Sequence, residues 1–113
     1  MKTYTFRIRE QDRDIFQQIK DGQKKVETRV AGPRYKNITA GDGIILICGK
    51  SKLSKKVKKA TLFKSISAML KKYKVKDIMP NIANQKEMEE IYYSFSGYRA
   101  KIKKHGLIAI ELI

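Results

Sequence analysis

Tryptophan is absent from the chain, and cysteine and histidine occur once each, as Cys48 and His105. One thiol cannot close an internal disulfide, and a lone Cys and His cannot assemble the ligand set of a structural zinc site. No metal and no cofactor is therefore expected. Cys48 lies in the apolar run Ile44–Cys48, where a buried, inert thiol is the expected role. His105, in the string KKHG, reads as a loop residue, since a His-based triad would need a nucleophile the sequence does not place. Long apolar runs are missing too, with none approaching the roughly 20 residues that span a bilayer. The opening MKTYTFRIRE alternates polar and apolar residues and lacks the apolar core of a secretory signal. The expected compartment is the cytosol, with no membrane partner.

Acid is scarce as well. Eleven Asp and Glu face 26 Lys and Arg, a formal net charge of +15. From Gly43 to Lys76 there is no acidic residue at all, while eleven lysines fall in that stretch. A compact domain so charged repels itself unless a counter-charge is supplied, and the uneven distribution is that of a polyanion-facing protein. A merely solvated lysine-rich surface has the same composition. An acidic membrane surface fits less well, because the lysines do not follow one long amphipathic helix.

What is present suffices for one core. Hydrophobic residues make up 42% of the 113 residues, so a single domain over residues 1–113 is expected. Thr3–Arg9 alternates, with Tyr4, Phe6 and Ile8 on one face, and predicts a half-buried strand. Asp12 can cap a short helix bearing Ile15, Phe16 and Ile19, which Gly22 stops. Lys25–Val30 alternates again, with Val26, Thr28 and Val30 opposite Lys25, Glu27 and Arg29. A loop through Pro33 and a tight turn at ITAGDG lead into the strand Ile44–Cys48. GKSKLSKK is expected to be a basic loop and Val57–Phe63 a strand. Ser65 caps a helix with Ile66, Met69, Leu70 and Tyr73 on its stripe, and Ile78–Ala83 is expected to be a loop. Asn84, three residues before Glu87, opens a third helix with Met88, Ile91, Tyr92 and Phe95 buried. GLIAIELI closes the chain as a strand. Strands scattered among helices argue against a doubly wound parallel sheet and for an α+β fold, a small mixed or antiparallel β-barrel with about three flanking short helices.

One segment carries a site-like pattern. In GQKKVETR, Glu27 and Arg29 share a strand face, and Lys24 sits at the turn just before it. Two cations and a carboxylate on one patch can hold a phosphate and read a base edge together. An ordinary ion-pair ladder of small energetic value has the same spacing.

The spacing GxKxxExR after a short first helix resembles the signature of the ASCH family. The similarity continues through Ala40-Gly41-Asp42 before an apolar strand, Phe63-Lys64-Ser65 at a strand end, Met69–Leu70 at a helix end, Tyr92–Tyr93 on a helix, and Gly106–Leu112. The resemblance implies a PUA-like β-barrel whose cleft beside GxKxxExR binds RNA or a nucleotide. It also implies an alternative, since some relatives are hydrolases, either ribonucleases or amidohydrolases of acylated cytidine, for which Lys24 and Glu27 would be the catalytic pair. The amidohydrolases carry threonine three residues after the motif lysine. Here Glu27 stands at that position, and Thr28 points to the opposite, core-side face.

Other candidates surround this motif. Arg34 and Tyr35, on the loop after the motif strand, could stack on unpaired bases. Tyr93 is left toward solvent if Tyr92 takes the buried stripe. Lys55, Lys56, Lys58 and Lys59 form a candidate phosphate track, which would position a nucleic acid without reading its sequence. RNA or a nucleotide is the expected partner of a non-catalytic binder. A protein-interaction module with an acidic partner is the third class.

Overall fold

The structure, a computed structural model, describes residues 1–113. Five strands and five α-helices follow one another as β1 (Thr3–Ile8), α1 (Arg13–Lys20), β2 (Val26–Val30), β3 (Gly43–Cys48), β4 (Ser51–Phe63), α2 (Ile66–Leu70), α3 (Val75–Ile78), α4 (Gln85–Ser94), α5 (Tyr98–His105) and β5 (Leu107–Leu112). The strands form one curled sheet in the order β1-β3-β4-β5-β2. β1 and β3 run parallel, and every other pairing is antiparallel. The result is a mixed, half-barrel α+β fold.

Its curl comes from β4. The first part of this 13-residue strand pairs with β3 and the second with β5, and the register shifts between Val57 and Lys59. A bulge of this kind bends a strand and increases its twist, so a single strand turns the corner of the half-barrel. The expected basic loop is therefore mostly strand. Only Gly49 and Lys50 lie between Cys48 and its partner Ser51, and Gly49 takes φ +58 at the turn. Lysines are poor strand formers, but pairing with the apolar β3 overrides that preference.

The sheet has two cores because each face is covered over a different part of its width. Alternate residues of β1, β3 and β5, including Phe6, Leu46 and Ile110, turn inward and are closed over by Phe16 and Ile19 of α1. On the outer face of β2, β5 and the end of β4, Val26, Leu107 and Ala109 pack beneath α2–α5, against Met69, Ile78, Met88 and Ile102. β5 lies between the two cores, and Leu107–Ile110 are all buried, which explains why its sequence is apolar without alternation.

The helices depart from expectation in three places. α3 forms a single turn just before the expected loop. α5 occupies a stretch with no helical stripe, burying only Ile102, so His105 ends a helix and does not lie in a loop. α4 starts where the Asn84 cap predicts, with Asn84 Oδ1 accepting from Glu87 N at 3.0 Å, but only Met88 and Tyr92 are buried. Ile91 and Phe95, expected in the core, are exposed. No helix is long and apolar enough to cross a membrane.

Candidate functional site

The sheet does not close. β1 and β2 are its two edges, and the seam between them holds a cavity of about 510 Å³. β2 lines this seam, so the direction of its side chains decides what a ligand would meet. Glu27 lies opposite Ile110 and Arg29 opposite Ile108, both residues of the inner core, whereas Thr28 lies opposite Ala109 of the helix-covered core. Glu27 and Arg29 thus point into the open end of the half-barrel. Thr28 points the other way, where its hydroxyl hydrogen-bonds to the Tyr92 hydroxyl.

Lys24 reaches the same floor from the turn after α1. Gly22, at φ +81, ends the helix, and the Gln18 carbonyl accepts from the amides of Gln23 and Lys24. The Lys24 ammonium donates to the Ile78 carbonyl and stands 3.6 Å from Glu27 Oε1. Glu27 Oε1 also accepts from its neighbour's amide, Thr28 N, at 2.9 Å, and Oε2 lies 3.7 Å from Arg29 Nη2. The Arg29 guanidinium sits 4.4 Å over the Phe6 ring, and its Nε has no hydrogen-bond partner.

Lys24 and Glu27 are both buried, 6% and 7% exposed, so their charges must sustain one another. Burial depresses the Lys24 ammonium below its ordinary range, and Glu27 offsets only part of that effect. For Glu27, burial is the largest influence and pushes its carboxyl up. The charges of Lys24 and Arg29 and the Thr28 amide together outweigh it, and the carboxyl stays ionised, below the ordinary carboxylate range. The floor is a row of cation, anion and cation with one more positive charge than negative.

The walls differ in character. On one side β1 and α1 contribute Arg7, Arg9, Asp14 and Gln18, with Arg9 paired to Asp12 at 2.9 Å and Arg7 in no ion pair. On the other side stand Tyr92, Phe95 and Tyr98. Tyr92 and Tyr98 stack with ring centroids 6.3 Å apart, and Phe95 meets Tyr98 edge-on at 5.1 Å. Burial raises the hydroxyls of Tyr92 and Tyr98 above the ordinary tyrosine range, so both remain neutral donors at physiological pH. The Asn81 amide bonds to Asp14 Oδ2 at 3.4 Å, linking the two sides.

Of the residues singled out from sequence, Lys24, Glu27 and Arg29 come together at this cavity. The others do not line it. Tyr35 packs edge-on against Phe6 at 5.3 Å, with the Arg34 guanidinium 5.5 Å from its own ring. Tyr93 is exposed beneath Arg99, while its neighbour Tyr92 faces the cavity. Lys55, Lys56, Lys58 and Lys59 all lie on β4, in the middle of the sheet. Lys55 is half-buried on the inward side, and the other three are exposed. Sequence reasoning missed Arg7, Arg9, Phe95 and Tyr98. The two arginines were legible as the polar face of the first strand, whereas the two aromatics reach the seam only through the packing of α4 and α5.

The ASCH domain family model matches residues 12–113. Among solved structures, the crystal structure of hypothetical protein PH0355 superposes with a TM-score of 0.83 and 31% identity, covering 99% of this chain and 97% of that one. The solution NMR structure of protein PF0455 from Pyrococcus furiosus gives a TM-score of 0.75 and 28% identity, covering 99% and 96%. No curated protein matches the chain.

Proposed function

The chain belongs to the ASCH domain family, and on that premise we propose that it binds RNA and holds one nucleotide in the seam between β1 and β2. The observation that carries this reading is the buried row Lys24–Glu27–Arg29 on the cavity floor, facing an aromatic wall. The volume, about 510 Å³, falls in the range of small-molecule sites. A base can stack on Phe95 and Tyr98 and offer an exocyclic amine to Glu27 Oε2. A phosphate oxygen can meet the part of the Arg29 guanidinium that stays open to the cavity, its side chain being 24% exposed, and the surplus positive charge on the floor favours an anion there. The lysine-rich surface supplies the attraction that is independent of sequence.

The test is a titration against single-stranded RNA, duplex RNA and DNA of equal length, at two salt concentrations. The expected result is RNA-preferring binding, part of which survives the higher salt. Arg29→Ala removes a charge-assisted contact of about 1.5–3 kcal/mol and should weaken binding by roughly 10- to 150-fold. Equal, weak binding to all three polymers that vanishes with salt would leave the cavity without a role in RNA recognition.

A hydrolytic reading draws on one specific observation, the depressed ammonium of Lys24 beside an ionised Glu27. A lysine so placed can exchange a proton closer to neutrality than an exposed one. Its ammonium already donates to the Ile78 carbonyl, however, and Glu27 Oε1 already accepts from Thr28 N, so a substrate would compete for both. Turnover of RNA or of acylated cytidine that is lost in Glu27→Gln, with the variant still folded, would decide for the enzyme.

A further inference from the structure

The helices that cover the outer face of the sheet stop short of β1, β3 and the first part of β4. Sheet register shows what this bare face presents. Arg7, Ile47 and Lys52 form one cross-strand row, and Thr5, Ile45 and Ser54 form the next. The third row, Thr3, Gly43 and Lys56, is the last before β4 shifts register between Val57 and Lys59. Arg7, Lys52 and Lys56 are exposed, and no acidic residue stands in these rows. Ile45 and Ile47 are half-buried between the flanking polar side chains, as expected where long cationic stems lie along apolar surface.

Arg7 belongs to two surfaces. It heads the first row on the outer face, and it lines the mouth of the seam cavity. Two strand spacings of about 4.8 Å separate it from Lys52, and four residues at about 3.4 Å separate Lys52 from Lys56. A cation path of roughly 23 Å therefore leaves the cavity, crosses the sheet and turns along β4. We propose that this bare sheet face is the backbone-binding surface of the protein, carrying the phosphodiester chain of an RNA away from the nucleotide held in the seam. This inference rests on the RNA reading above. It divides the β4 lysines: Lys52 and Lys56 belong to the path. Lys55, on the inward side, Lys58, beside Asp77 and Glu111 in a cleft at the helix-covered edge, and Lys59, cross-strand from Glu111, do not.

Phosphate contacts of this kind are read from salt dependence. Each contact to a single strand contributes about 0.7 to the slope of log K against log salt. Lys52→Gln with Lys56→Gln should lower the slope by about 1.4 and, with the lines converging near 1 M, weaken binding by about 25-fold at 0.1 M. Lys103→Gln with Lys104→Gln, on exposed positions of α5, removes the same charge from elsewhere and should leave the slope unchanged. The probe is a single-stranded RNA long enough to cover the path, titrated over a salt series. If both pairs lower the slope equally, or neither does, the sheet face is no backbone surface, while an effect of Arg29→Ala in the same assay would leave the seam reading standing. If the Lys52/Lys56 pair acts and Arg29→Ala does not, the sheet face stands and the seam reading falls. If the unaltered protein binds no RNA, both fall.

Discussion

Replacing Glu27 by Gln removes the only carboxylate that compensates two cations on the cavity floor. Lys24 and Glu27 are almost wholly enclosed, and breaking a buried pair by deleting one partner typically costs about 3–5 kcal/mol. The structure also sets an upper bound. Lys24 can escape the penalty by losing its proton, and from its ordinary value of 10.5 that costs about 5 kcal/mol at pH 7, at roughly 1.36 kcal/mol per unit. The expected loss is therefore about 3–4 kcal/mol, read by urea denaturation of the unaltered protein and Glu27→Gln. The pH dependence has a defined sign. A lysine depressed in the folded state binds its proton more weakly there than when unfolded. Its penalty is therefore complete below the folded value and fades as pH rises toward 10.5. The stability gap between variant and parent should narrow in alkaline solution. Adding Lys24→Met removes the orphaned charge with a side chain of similar length, and should recover at least half the loss. A loss below about 1 kcal/mol for Glu27→Gln, or a double variant no better than the single one, would refute the buried-pair argument.

Three further outcomes follow from the same geometry. Tyr92→Phe leaves the buried Thr28 hydroxyl without its partner and should cost about 1–3 kcal/mol in a denaturation assay, while Thr28→Val added to it should cost little more. Gly106 holds φ 74 and ψ −166, and a Cβ there would meet the Phe63 carbonyl oxygen at 2.3 Å. Gly106→Ala should therefore destabilise by more than about 2 kcal/mol, and a thermal midpoint within a degree of the parent would contradict this. Tyr73 donates to Glu111 at 2.5 Å, and burial first, then that carboxylate, push its hydroxyl up to about 12. Since the folded value is raised, this stabilisation is complete below pH 10 and lost as pH rises from 10 toward 12. Tyr73→Phe should abolish that part of the alkaline decline, and spectrophotometric titration of tyrosinate should lose one group titrating at about 12.

Much of the local architecture is legible in the residues. Alternation in Thr3–Ile8 and Val26–Val30 marks two strands and the side each buries, and caps at Ser65 and Asn84 begin α2 and α4 where the spacing says they should. Such signals are local, because a strand's two faces and a helix's first turn are decided within a few residues. α5 escaped notice because it has no apolar stripe and is held by a single buried residue, Ile102. The lysine-rich start of β4 read as loop because a partner strand, not its own propensity, makes it a strand.

The amino-acid order by itself determined that Glu27 and Arg29 share a face, that Thr28 does not, and that Lys24 lies one turn before them. These are consequences of strand periodicity. Only the tertiary structure decided that this face opens on a seam, because the seam exists where β1 and β2, distant in the sheet order, fail to pair. It alone placed Phe95 and Tyr98 across from the floor, and Lys52 and Lys56 on the same open face as Arg7. Each of those relations is set by pairing and packing between segments far apart in the chain, for which a sequence read locally carries no distance.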